Sequence, residues 1–99
     1  MSQVRVSGHL IAENAEQARI IRAHLAVHIE LTRAERGCLT FEVAPTGDGL
    51  VWTVDELFSD EEAFASHHRR AVSSEWGLAT AGIERRYVIG AQSEDAGAD

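Results

Sequence analysis

The stretch VWTVDELFSDEEAFASHHRR, residues 51–70, changes its period partway along, and that change decides the fold. Up to Phe58 it reads as an extended strand with apolar or aromatic side chains on both faces, namely Val51, Trp52, Val54, Leu57 and Phe58. At Ser59 a helix is predicted. Ser59 accepts from the backbone N–H of Glu62, Glu62 reaches back to complete the capping box, and Asp60, Glu61 and Glu62 sit at the positive end of the helix dipole. With Phe64 at the centre of the apolar side, His67 and His68 follow three and four residues later and Ala71 seven later. Both imidazoles therefore flank the buried stripe, while Ser66 and Arg69 point away.

Working back from this stretch, PTGDG at 45–49 is a turn that reverses the chain, so the strand at 50–58 returns antiparallel to one at Cys38–Ala44. In that strand Leu39, Phe41 and Val43 share one side and Thr40 and Glu42 the other. Before it, Asn14 caps a long helix with Gln17 at the box position, and Ala18, Ile21, Leu25, His28 and Thr32 recur at helical spacing. Gly37 is the expected stop, as the residue best able to take a left-handed conformation. The first strand, VRVSGHLIA at 4–12, sets Val4, Val6, Gly8 and Leu10 against Arg5, Ser7, His9 and Ile11. Beyond the opening stretch, SSEWGLATAG at 73–82 reads as a short helix and turn carrying Trp76, and ERRYVIGA at 84–91 as the last strand. The terminal QSEDAGAD, small and acidic, is expected to fray.

The order strand, helix, strand, strand, helix, strand is an α+β, ferredoxin-like βαββαβ arrangement with a four-stranded antiparallel sheet. It is read as one domain over 1–92 with an acidic tail at 93–99. Two helices cover one face of such a sheet, and strands apolar on both faces imply a partner for the other, so a homodimer with two sheets face to face is expected.

The 99 residues, 44% hydrophobic and 25% charged, suit a single globular domain. A formal charge of −7 argues against nucleic acid and anionic membrane as partners, because both need a surplus of Lys and Arg. MSQVRVSGHLIAEN has no apolar run of signal-peptide length, no stretch is apolar enough to span a bilayer, and the lone Cys38 has no intramolecular partner. A cytoplasmic location is the expectation.

Three segments carry a family resemblance: HIELTRAERGCLTFEV at 28–43, VWTVDELFSDEEAFASH at 51–67 and SEWGLATAGIERRYVI at 74–89. Gly-Cys-Leu with an aromatic, then Glu, an acidic helix start and Phe-x-x-His, make an ensemble that resembles the antibiotic biosynthesis monooxygenase domain family. With the first strand these segments cover almost the whole chain. One departure is Arg36, where relatives would carry Pro before the Gly-Cys pair. The resemblance implies a dimeric α/β barrel. It also implies an activity found in some members, oxidation of small phenols and quinols by molecular oxygen with no metal or organic cofactor. Other members degrade haem or act on signalling molecules, so fold alone does not choose among them.

Oxygenation without a cofactor needs a dry pocket for an electron-rich ring, a base for its phenolic proton and polar groups to hold the anion. Trp52, Phe41, Phe58 and Trp76 are candidate walls. His67 is the candidate base, since its ordinary pKa lies near neutrality and the resemblance places it at the family's inward helix histidine. The plain alternative is a helix-flank histidine bonded to a carbonyl or carboxylate. Glu56 is a candidate to orient His67 or bind substrate, or else a strand-end carboxylate in an ordinary ion pair. His9 and Ser7 share a strand face and meet the pocket only if that face looks towards the helices. His68 is assigned to packing.

His24 and His28, four apart on one helix, have the spacing for a shared metal ion, but no further ligand stands at matching spacing, so no metal site is expected and His28 reads as a bonded core residue. Haem chemistry is disfavoured: the haem-degrading relatives carry a tryptophan at the position of His67 and an axial histidine where this chain has Gly77. Arg69, Arg70, Arg85 and Arg86 read as solvated. The alternative function is a non-catalytic dimeric domain that binds a small ligand or provides an interaction surface.

Overall fold

The structure is a computed structural model describing residues 2–93. Its elements are β1 (Ser2–Ile11), α1 (Ala15–Arg33), β2 (Cys38–Pro45), β3 (Val51–Phe58), α2 (Glu61–Ser73), the short α3 (Glu75–Ala79) and β4 (Glu84–Ser93). One antiparallel sheet runs β2-β3-β1-β4, the ferredoxin-like order. Gln92 and Ser93, expected to fray, are rungs of this sheet opposite Gln3 and Ser2. The rest of the expected acidic tail, 94–99, lies outside the described residues.

Pairing shows which side chains share a face, because directly opposite residues in an antiparallel ladder point the same way. Val6 lies opposite Glu56 and Ile89, with Phe41 next to Glu56. One step along, Gly8 lies opposite Val54 and Tyr87, and beyond that Leu10 lies opposite Trp52 and Arg85. Val6, Leu10, Phe41, Trp52 and Val54 are buried, so this is the face the helices cover. Of the five residues that suggested apolar character on both sides of β3, Trp52, Val54 and Phe58 belong to this core. Val51 and Leu57 face the other way, in the company of Thr53 and Asp55. Ser7 and His9 lie on that open face too.

Local signals place most of the helix ends. Asn14 accepts from Gln17 N–H at 3.0 Å, while the Gln17 side chain accepts from Glu13 N–H rather than closing back on the cap. The start of α2 is one residue later than predicted: Asp60, not Ser59, accepts from Ala63 N–H at 2.7 Å. Ser59 instead donates its backbone N–H to Gly37 O, continuing the sheet edge. At the other end of α1 the helix stops at Arg33, with Ala34 as a right-handed cap. Gly37 is required for space and not for left-handed backbone: a Cβ there would lie 2.2 Å from that of Ala63. Leu39, expected beside Phe41, is the extra residue where the β2 register shifts, and its side chain is exposed.

Gly8 is tightly constrained within the sheet. Its φ is +150°, and a Cβ would fall 2.0 Å from the Arg86 carbonyl oxygen on β4. Gly8→Ala is therefore expected to lower stability by at least the ~1–3 kcal/mol typical of backbone strain, read as a reduced urea midpoint.

Candidate functional site

A cavity of about 390 Å³ lies between the covered face of the sheet and the helices. Phe41, Val54, Tyr87 and Trp76 line it. Trp76 is held there by the way α3 is built. Ser74 caps α3 and donates to Ala71 O at 2.7 Å, and Thr80 donates to Trp76 O at 2.6 Å. Arg85, expected in solvent, braces the same turn by donating to Thr80 O, Ile83 O and Thr80 Oγ1. Gly77 has no room for any side chain, since a Cβ would lie 2.1 Å from Ala71 O.

His67 enters the cavity from α2, 7% exposed, with its ring 4.9 Å from that of Phe58. Its Nδ1 lies 2.8 Å from Glu35 Oε1, on the turn after α1. The other Glu35 oxygen accepts from Arg70 Nε, and Arg70 also donates to Thr32 Oγ1 at 2.9 Å. A carboxylate beside Nδ1 is best satisfied when that nitrogen carries the proton, which leaves the Nε2 lone pair free. Nε2 stands 4.0 Å from Glu56 Oε1. Burial holds the His67 pKa below its ordinary value against the opposing pull of Glu35, so the ring is a neutral imidazole at pH 7.

Three further titratable groups share the space. Burial pushes Glu56 up to about 7, against the attraction of Arg85. Burial, with the nearby His67, Arg70 and Arg85, pushes His28 down to about 3, and burial raises Tyr87 to about 12. At neutral pH the cavity therefore holds two neutral imidazoles, a protonated phenol and a carboxyl near its midpoint. His28 stacks on Trp76 with centroids 4.7 Å apart and planes within 8°, and meets the Phe41 ring edge-on at 5.3 Å.

Of the residues singled out in the sequence, the structure brings together His67, Glu56, Phe41 and Trp76. Phe58 backs the His67 ring without lining the cavity, and Trp52 sits deeper, in the core with Leu10, Ile21 and Ile83. Ser7 and His9 are on the opposite face of the sheet and do not reach the site. His68 lies at the rim, its ring 6.5 Å from Phe64. The partner that orients His67 is Glu35, which sequence reasoning missed, along with Arg85, Tyr87 and the cavity role of His28. Among the described residues no group of three His, Cys, Asp or Glu is arranged to hold a metal ion, and no helix is long and apolar enough to cross a membrane.

The Glu56 carboxyl couples this site to stability. Its folded pKa lies above its unfolded value, so the native state holds the proton more tightly. The resulting stabilisation is complete below about pH 4.5 and is lost as pH rises through about 7. Relative to wild type, Glu56→Gln is expected to gain stability between pH 4.5 and 8, on the order of 3 kcal/mol, measured as the change in the gap between their urea unfolding free energies.

The fold is widely shared among solved structures. Rv0793 from Mycobacterium tuberculosis superposes with a TM-score of 0.67 at 23% identity, covering 93% of this chain and 94% of that one. SO0527 from Shewanella oneidensis gives 0.68 at 20% identity, covering 92% and 91%. MupZ from Pseudomonas fluorescens gives 0.67 at 22%, covering 89% of this chain and 66% of its own. No curated protein sequence matches the chain. The sequence profile described as antibiotic biosynthesis monooxygenase matches residues 11–76, about two-thirds of the length, and takes in α1, β2, β3, α2 and Trp76. By that match, with the fold and the segments that carry it, the chain belongs to the antibiotic biosynthesis monooxygenase family.

Proposed function

We propose that the protein is a cofactor-independent monooxygenase of a small phenolic or quinol-like aromatic. The observation that carries this reading is His67: a neutral imidazole, pinned at Nδ1 by the Glu35–Arg70 pair, with Nε2 open to a cavity of ligand size among aromatic walls. A quinol in that cavity loses its hydroxyl proton to Nε2, and the imidazolium that forms is stabilised by the Glu35 carboxylate. The electron-rich anion then supplies electrons to dioxygen. One oxygen atom enters the ring and the other leaves as water, all four electrons coming from the quinol, which ends as a hydroxylated quinone. Protonated Glu56, across from Nε2, is placed to donate a hydrogen bond to the developing charge, and Arg85 adds a fixed positive charge on the same face.

A cavity of about 390 Å³ that side chains do not pack shut favours a ligand site over a purely structural domain. Catalysis is separated from mere binding by oxygen consumption on a panel of hydroquinones and anthrols. Uptake is expected with wild-type protein, a fall of about 100-fold or more in kcat with His67→Ala, in keeping with the loss of a general base, and a smaller fall with Glu35→Gln. Binding without uptake on any compound would support the non-catalytic ligand-binding domain instead.

The open sheet face is assigned to a second copy of the chain. Val51, Leu57 and Val88 project from it around the Arg5–Asp55 ion pair, and Val88 is 72% exposed in the single chain. Light scattering at micromolar concentration is expected to give twice the 10.8 kDa chain mass, and a monomer there would contradict the assignment.

A further inference from the structure

The mechanism above leaves one buried group unused. His28 is 5% exposed and lines the cavity from α1, yet its Nδ1 is fully buried with no hydrogen-bond partner among the described residues. Its ring stacks on Trp76 and meets the edge of Phe41. Buried polar groups are normally paired, and an orphan of this kind weakens the fold. A phenyl or leucyl side chain would fill the same slot without that cost, so packing does not account for a histidine here.

A neutral imidazole has one donor nitrogen and one acceptor. Since Nδ1 is sealed off, the nitrogen able to serve a ligand is Nε2, and the proton is best placed there, where it can find an acceptor. The His28 and His67 rings are 5.9 Å apart, tilted by 42°. One oxygen at ordinary hydrogen-bond distance from a nitrogen on each ring can bridge centroids up to roughly 7.5 Å apart. The two imidazoles thus offer complementary ends: a donor on His28 and an acceptor on His67.

We propose that His28 and His67 hold a single ligand oxygen between them, His28 donating to it and His67 accepting from it. The site then selects an aromatic ring bearing a free hydroxyl. A hydroxyl satisfies both rings at once. An ether or ketone oxygen satisfies His28 but turns a lone pair towards that of His67. When the hydroxyl ionises, His28 becomes a donor to the phenolate, so it touches the reacting atom and is a catalytic residue in the proposed oxygenation. The inference rests on the cavity being the ligand site of that reading, but not on oxygen chemistry.

The test is an anaerobic binding titration of 1-naphthol and 1-methoxynaphthalene, followed by quenching of tryptophan fluorescence. Wild-type protein is expected to prefer the naphthol by about tenfold or more, the scale of one hydrogen bond in a dry site. His28→Phe and His28→Leu are expected to weaken naphthol about tenfold and the methyl ether by less than about threefold. His28→Gln, which keeps an N–H donor, should recover part of the loss. The ionisation of bound naphthol, read by near-ultraviolet absorbance, should move to higher pH in the phenylalanine variant. Thermal melting of that variant at or above wild type would show that the orphaned nitrogen is not there for stability. Naphthol affinity unchanged in the folded variants, an equal loss for both compounds, or no binding of naphthol to wild type would each overturn the proposal. Binding as expected without oxygen uptake leaves this inference standing and removes the monooxygenase; uptake with His28 indifferent does the reverse.

Discussion

The hydrogen bond between His67 and Glu35 joins α2 to the turn after α1, and the two helices make little direct contact along their lengths. Both α1 and α2 lie on one face of the sheet, but α1 packs towards β2 and α2 towards β1 and β3, so a gap separates them. At one end α3 inserts Trp76 into that gap. At the other, Glu35 reaches across, taking His67 on one oxygen and Arg70 on the other, while Gly37 lets the chain after α1 press against Ala63. What remains between the two closures is the cavity. The network that orients the imidazole is thus the same one that ties α2 to α1 and the turn that follows it.

Such a site weakens the fold that carries it. Glu56 and His28 are both buried with their ionisation displaced in the direction of the neutral form, and His28 has a nitrogen without a partner. Ordinary packing offsets this: Leu10, Ala18, Ile21, Trp52 and Ile83 form an apolar cluster that continues into Val54 and Trp76 of the cavity wall. On so short a chain one sheet face has to supply both the core and the cavity, and Leu10 and Val54 belong to each.

The elements and their order were legible because they depend on local periodicity and local capping. Alternation in β1 and β3, the 3.6-residue recurrence in α1 and α2, and the glycines of the 45–49 turn, where Gly47 and Gly49 both have positive φ, are properties of neighbouring residues. His67 was legible for the same reason, as a position three residues after Phe64. The ends of α1 and α2 were less so, because Gly37 serves a contact with Ala63 that no local pattern announces, and because Ser59 and Asp60 are both competent caps.

The amino-acid sequence by itself determined an α+β chain of six principal elements, a helix with an inward His67, and aromatic side chains sufficient to wall a pocket. Only the tertiary structure decided which sheet face is covered, and with it that Glu56, Phe41 and Tyr87 look into the site while Ser7 and His9 look out. Alternation divides a strand into two faces but does not say which one the crossover helices will cover. It also decided that Glu35, 32 residues before His67, is the orienting carboxylate, and that Arg85 turns inward to brace α3. Pairings of that separation are set by how helices and strands come to rest against one another, and no spacing along the chain encodes them.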